Sequence, residues 1–107
     1  MQNQQEEKMK NFRTYDLAKT FFQECQKVKL SGAAKNQFER AVLSIVLNLA
    51  EGSSRSSRKE RKRFYEISYG SFKEVQVILE LYPTQTATLN SLSDILGAHL
   101  YKLWRNT

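Results

Sequence analysis

Cysteine, proline, histidine and tryptophan occur once each in this chain of 107 residues, and glycine only four times. A lone cysteine, Cys25, excludes an internal disulfide, and nothing else points to secretion. Few prolines and glycines mean few forced breaks, which favours long helices. No apolar run reaches the roughly 18–20 residues that span a bilayer; the longest, Ala41–Ala50, has ten residues, two of them polar. The opening MQNQQEEKMKN is too polar for a secretory signal. It reads as a disordered or fraying segment, residues 1–11, ahead of a single domain at 12–107. The expected setting is the cytoplasm, with no membrane contact.

Catalytic patterns are also missing. His99 has no acidic residue three positions before it, so the Glu-x-x-His pair of a di-iron bundle is absent. No Glu-x-x-Glu pair occurs, which argues against a helical metal-carboxylate hydrolase. There is no glycine-rich phosphate loop, and Ser44 and Ser71 have no candidate base nearby in sequence. Cys25 falls on an apolar stripe and reads as core. The expectation is therefore no catalytic residue, no metal, no cofactor and no enzyme, unless a site is shared between subunits.

What the chain does have is charge in one place. Ser53–Arg63 holds Arg55, Arg58, Lys59, Arg61, Lys62 and Arg63 against one acid, Glu60. This stretch carries +5 of a formal net charge of +6, while the other 96 residues set eleven Lys/Arg against ten Asp/Glu.

The apolar periodicity predicts four helices and no strand. The first runs from about Tyr15 to Lys29, with Thr14 as N-cap and Leu17, Ala18, Phe21, Phe22, Cys25 and Val28 on one stripe. Leu30-Ser31-Gly32 ends it. The second runs from about Ala33 to Glu51, with Gly52 as the C-cap signal. The third starts in the basic stretch, where Ser57 and Glu60 fit a capping box. Its expected core stripe is Phe64, Ile67, Ser71, Val75, Ile78 and Tyr82, with Arg58, Lys59, Lys62 and Arg63 opposite, and Pro83 stops it. The fourth runs from about Thr88 to Trp104, with Leu89, Leu92, Leu96, Leu100, Leu103 and Trp104 near one stripe. Four helices with short links predict an all-α, up-down-up-down antiparallel four-helix bundle.

The second helix is apolar around most of its circumference. Arg40, Ser44, Asn48 and Glu51 form one narrow polar stripe. A helix apolar nearly all round is buried nearly all round, which a chain this small achieves most readily by self-association; a central position in the bundle is the alternative. The stripe needs partners. Ser68, Ser71 and Glu74 of the third helix offer them, with Gly70 allowing close approach. The expected role is a structural polar network or subunit interface rather than a ligand site.

Together, QFERAVLSIVLNLAEG (Gln37–Gly52), the basic Ser-rich turn and ISYGSFKE (Ile67–Glu74) resemble the small four-helix-bundle proteins encoded in intervening sequences of bacterial 23S ribosomal RNA genes. The family pattern is R-A-x-x-S-I-x-x-N-I-A-E-G, a basic turn, then A-x-G-S-x-x-E. Arg40, Ala41, Ser44, Ile45, Asn48, Ala50, Glu51 and Gly52 fit the first part; Gly70, Ser71 and Glu74 fit the second. Leu49 replaces Ile, Ser68 replaces Ala, and the link between the first two helices is short. The resemblance implies a homo-oligomeric ring, a homopentamer. It extends to accessory proteins of diversity-generating retroelements, which bind nucleic acid and a reverse transcriptase.

Cations at a helix N-terminus oppose the helix macrodipole, and Glu51 near a C-terminus does the same. Breaking a local rule without a local gain points to a functional demand. Clustered cations, serine hydroxyls and free helix N–H groups suit phosphate oxygens. The expected partner is nucleic acid, RNA before DNA, held by its backbone; a protein partner such as a reverse transcriptase, or a merely solubilising face, are the alternatives. Phe64 is expected in the core. Tyr65 is expected at the surface, where it would cover the bundle or stack on a base.

Overall fold

The computed structural model describes residues 2–83 and 86–107, with side chains described from Arg13 onward. Its elements are four helices: α1 (Gln2–Cys25), α2 (Gly32–Ser53), α3 (Arg58–Leu81) and α4 (Ala87–Asn106). The fold is all-α, with no strand among the described residues. α1 packs on α2, α2 on α3, α3 on α4, and α4 closes on α1. The backbones of the two diagonal pairs stay apart. The middle is filled by side chains, as where the rings of Phe21 and Phe72 meet across it at 5.8 Å.

The helix boundaries differ instructively from those expected. α1 begins at Gln2 and not near Tyr15, so Thr14 lies inside the helix, buried, and is no N-cap. The expected disordered start, residues 1–11, falls on side chains outside the described residues. α1 also stops at Cys25, four residues before Lys29, and the chain leaves through tight turns whose N–H groups at 26, 27 and 28 bond three residues back. Gly32 then takes φ +58, a left-handed conformation that glycine adopts without strain. It reverses the chain into α2 instead of closing α1.

α2 runs past Glu51 to Ser53, with Ser54 as C-cap. Gly52 is therefore not a cap residue. It is buried in the last turn, where an added Cβ would stand 2.7 Å from Cε1 of Tyr65. The absence of a side chain lets α3 approach. Gly97 of α4 has the same role against the ring of Phe72, at 2.8 Å. Gly70, expected to allow close approach, has nothing within 4 Å of a Cβ.

In the first half of α3 the core is turned by about one residue from the expected stripe, while Val75 and Ile78 are buried as expected. Tyr65, Ser68, Phe72, Val75, Ile78 and Leu79 are buried. Ile67 and Tyr82 are exposed, and Phe64 and Ser71 are half-buried. The reason lies in two contacts that polarity conceals. Tyr65 fills the space Gly52 leaves, and the fully buried Ser68 hydroxyl donates to the carbonyl of Ile45 at 2.8 Å. In α4, Leu89, Leu96 and Leu100 are buried, and Leu92, Leu103 and Trp104 pack against them.

Filling either close approach is expected to destabilise the fold. Gly52→Ala and Gly97→Ala each add overpacking worth about 1–3 kcal/mol, against roughly 1 kcal/mol gained from helix propensity. Both variants should melt below the wild type. A melting temperature at or above wild type would show that the rings of Tyr65 and Phe72 can move aside.

Candidate nucleic-acid interface

The basic stretch forms the link between α2 and α3, residues 54–57, and the first two turns of α3. Its path is fixed by its own polar groups. Ser53 Oγ donates to Ala50 O at 3.0 Å and Ser54 Oγ to Glu51 O at 2.8 Å, capping the last carbonyls of α2. Ser57 Oγ accepts the N–H of Glu60 at 3.3 Å, which is the N-cap half of the expected capping box. Three of the serines expected to offer hydroxyls to phosphate are thus bonded within the turn.

The cations fall into two groups. Arg61 points back, its guanidinium donating to Ser56 O at 2.8 Å and to Arg55 O at 3.2 Å. It braces the turn from inside. Arg55 pairs with Glu51 at 2.5 Å, and its guanidinium lies 5.1 Å from the ring centre of Phe64. Arg63 lies over the same ring at 5.7 Å. Cations on an aromatic face are held by its quadrupole, so Arg55 and Arg63 cover the Phe64 ring that is left half-buried at the turn, while Tyr65, 1% exposed, takes the core place expected for Phe64. Arg58, Lys59, Lys62 and Arg63 all face solvent. Among the described residues none of these four has a carboxylate partner.

The polar stripe of α2 is divided rather than joined. Ser44 Oγ and Ser71 Oγ share a hydrogen bond of 2.8 Å across the helices. Asn48 Nδ2 donates to Ser44 O at 2.8 Å and to Ser44 Oγ at 3.0 Å. These three, with Ser68, form the polar centre of the α2–α3 seam. Glu51 turns to Arg55, and Glu74 accepts from Gln37 Nε2 at 3.2 Å on the surface. Arg40 is exposed and outside this set. Ser68 meets α2 as expected, while Gly52 and Tyr65 are the seam residues assigned wrongly from sequence. A glycine in the last turn of an apolar helix is the signal that could have found their contact.

Other chemistry is weak. Cys25 is buried beside a cleft that Lys29, Lys35 and Phe38 also line. Desolvation, with some help from Glu24, pushes its thiol up to about 12, so it carries no thiolate at neutral pH. His99 is half-buried on α4. Among the described residues, no group of three His, Cys, Asp or Glu could hold a metal ion, and no helix is long and apolar enough to cross a membrane.

The family described as 23S rRNA-intervening sequence protein matches residues 5–99. The chain belongs to this family. No curated protein and no solved structure matches it. The segment shared with the 23S rRNA-intervening sequence proteins takes in the whole α2–α3 seam and the basic turn.

The cap and the cations of the turn are separable by mutation. Ser57→Ala removes the acceptor for Glu60 N–H and should cost about 1 kcal/mol, read as a lower melting temperature. Ser57→Asp keeps an acceptor and adds a negative charge at a helix N-terminus, so stability should return. Equal melting of all three proteins would show that the cap does not fix the turn.

Proposed function

We propose that this protein is a non-enzymatic, cytoplasmic, homo-oligomeric four-helix bundle that binds nucleic acid, RNA before DNA, by its phosphate backbone. The observation that carries this reading is the group Arg58, Lys59, Lys62 and Arg63. These are solvent-facing cations without acidic partners, mounted on a turn that Ser57, Arg61 and Phe64 hold in shape. Such a surface neutralises phosphates without selecting bases. Membership of a family tied to ribosomal RNA genes agrees with it.

The up-down-up-down arrangement is supported by the seam. In the pairs Gln37–Glu74, Ser44–Ser71, Ile45–Ser68 and Gly52–Tyr65, numbers rise on α2 as they fall on α3. Self-association is supported by the apolar side chains left in water. Leu43 and Leu47 on α2 and Ile67, Val77 and Leu81 on α3 are exposed, Leu47 at 56% and Leu81 at 69%. Gly70 and Ala50 lie on the same helices, exposed, and would let another subunit approach closely. Large apolar side chains left in water on two packed helices support an interaction surface there, and a ring of five is the assembly the family resemblance implies.

Two experiments test this reading. Replacing Arg58, Lys59, Lys62 and Arg63 by Gln should leave the melting temperature near wild type, since these side chains are exposed. Binding of unrelated RNA sequences should weaken together, and the slope of log K against log salt should drop by roughly 0.7–0.9 for each lost phosphate contact. Unchanged binding would assign the charge to another partner. Separately, Leu47→Glu alters an exposed position and should leave the protomer fold within about 0.5 kcal/mol. It should shift the mass seen by light scattering from a multiple of 12.5 kDa toward 12.5 kDa. A wild-type particle already at that mass would end the oligomer proposal.

A further inference from the structure

Where α3 and α4 meet, three aromatic rings cluster at the surface. Tyr69 and Trp104 stack, with centroids 5.8 Å apart and planes at 19°. Tyr101 meets Tyr69 at 5.9 Å and Trp104 at 6.0 Å. Tyr101 is 44% exposed, and Tyr69 and Trp104 are half-buried. Each tyrosine carries a cation: Lys73 lies 5.4 Å from the ring centre of Tyr69, and Arg105 lies 5.9 Å from that of Tyr101. Among the described residues, neither cation has a carboxylate partner, nor does the exposed Lys102 beside them.

This cluster continues from the basic turn. Lys62, Glu66, Tyr69 and Lys73 follow one another at steps of four, three and four residues, and so form one row along α3. Lys62 and Tyr69 are seven residues apart, about 10 Å along the axis at 1.5 Å per residue. That is the rise of roughly three stacked nucleotides at 3.4 Å each. Glu66 is the one acid in the row.

We propose that the exposed ring of Tyr101, backed by the stacked pair Tyr69 and Trp104, is a stacking surface for bases of a single-stranded nucleic acid whose phosphates are held by the basic turn. This deepens the reading of the turn given above and rests on it. Aromatic faces beside a cationic track are how sequence-tolerant single-strand binding is built, because every base has a π-face and every nucleotide a phosphate. A second copy of the chain docking here by two-fold contact would set Lys73, Lys102 and Arg105 against themselves. Phosphate meets the same cations with complementary charge. A duplex, whose bases are already stacked on each other, would use the turn alone.

The single tryptophan of the chain makes the site its own reporter. The wild type is titrated with a 20-mer oligouridylate and with an abasic strand of the same length and charge, at one salt concentration. The oligouridylate should quench Trp104 fluorescence and bind about five- to tenfold tighter than the abasic strand, the lower end of what base–aromatic stacking supplies. Tyr101→Ala should remove most of that advantage, and Tyr101→Phe should keep it. If both strands bind equally and Trp104 is not quenched, the bases are not engaged; the stacking surface is then refuted while the basic turn stands. If neither strand binds, both proposals fall. Fluorescence that changes with protein concentration alone would make the cluster a contact between copies of the chain, which also overturns the proposal.

Discussion

The structure depends on how closely α3 can approach α2. Gly52 removes the one Cβ that would strike Tyr65, and Ser68 donates to Ile45 O from a fully buried position. A buried hydroxyl without a partner costs about 1–3 kcal/mol, so this bond also sets the rotation of α3. A helix turned to put Ile67 inside would leave Ser68 facing away from that carbonyl and Tyr65 without its space. Rotation then decides what reaches the surface. With Tyr65 inside, Phe64 is left at the turn, where Arg55 and Arg63 lie over it. The same rotation puts Arg58, Lys59, Lys62 and Arg63 in solvent, and Tyr69 at the edge shared with α4.

Much of this was legible in the sequence, and the failures have physical causes. Helix number and type followed from apolar periodicity, because a 3.6-residue repeat sustained over twenty residues has few alternatives. The Ser57 cap was legible because its chemistry is local. The first half of the α3 core stripe was misplaced by one residue because periodicity counts apolarity, while Val75 and Ile78 fell where expected. Here the buried residues include a serine and a tyrosine, while Ile67 and Phe64 are held outside or at the edge. Both exceptions are created by α2, through a carbonyl and a missing side chain, and neither appears in the sequence of α3. The division of the cations had the same origin. All six were visible as a cluster, but only the backbone of the turn shows that Arg61 points inward to two carbonyls.

The turn also answers the conflict between its charge and the dipole of α3. Cations at an N-terminus cost a few tenths to about 1 kcal/mol each at low salt, and the penalty falls off within the first turn. Lys62 and Arg63 stand beyond that turn. Arg61 spends its charge on carbonyl oxygens, where it interacts favourably, and Glu60 places the one local acid in the first turn. Arg55 is drawn toward Glu51, at the C-terminal end of α2, where a cation is favoured. The unrelieved cost is left mainly on Arg58 and Lys59. It is small enough for the Ser57 cap, at about 1 kcal/mol, to offset most of it. An arrangement that confines the penalty to two residues while keeping four cations outward is compatible with a stable helix start.

In the proposed function the apolar side chains and the basic turn would depend on each other. Four phosphate contacts on one turn give binding that falls steeply with salt, since each released counterion contributes to the slope. A single protomer would hold a strand weakly at physiological ionic strength. Repeating the turn around an assembly changes this without any new contact. Once one turn has bound, a strand long enough to reach the next is presented to it at high effective concentration. Leu43, Leu47, Ile67, Val77 and Leu81 are exposed on the two helices that also frame the turn. Burying them between subunits would fix the spacing and orientation of successive turns. In the proposed reading the α2–α3 pair would serve two surfaces at once, a side that joins subunits and an end that meets phosphate. The seam between the two helices must be rigid for either surface to keep its geometry.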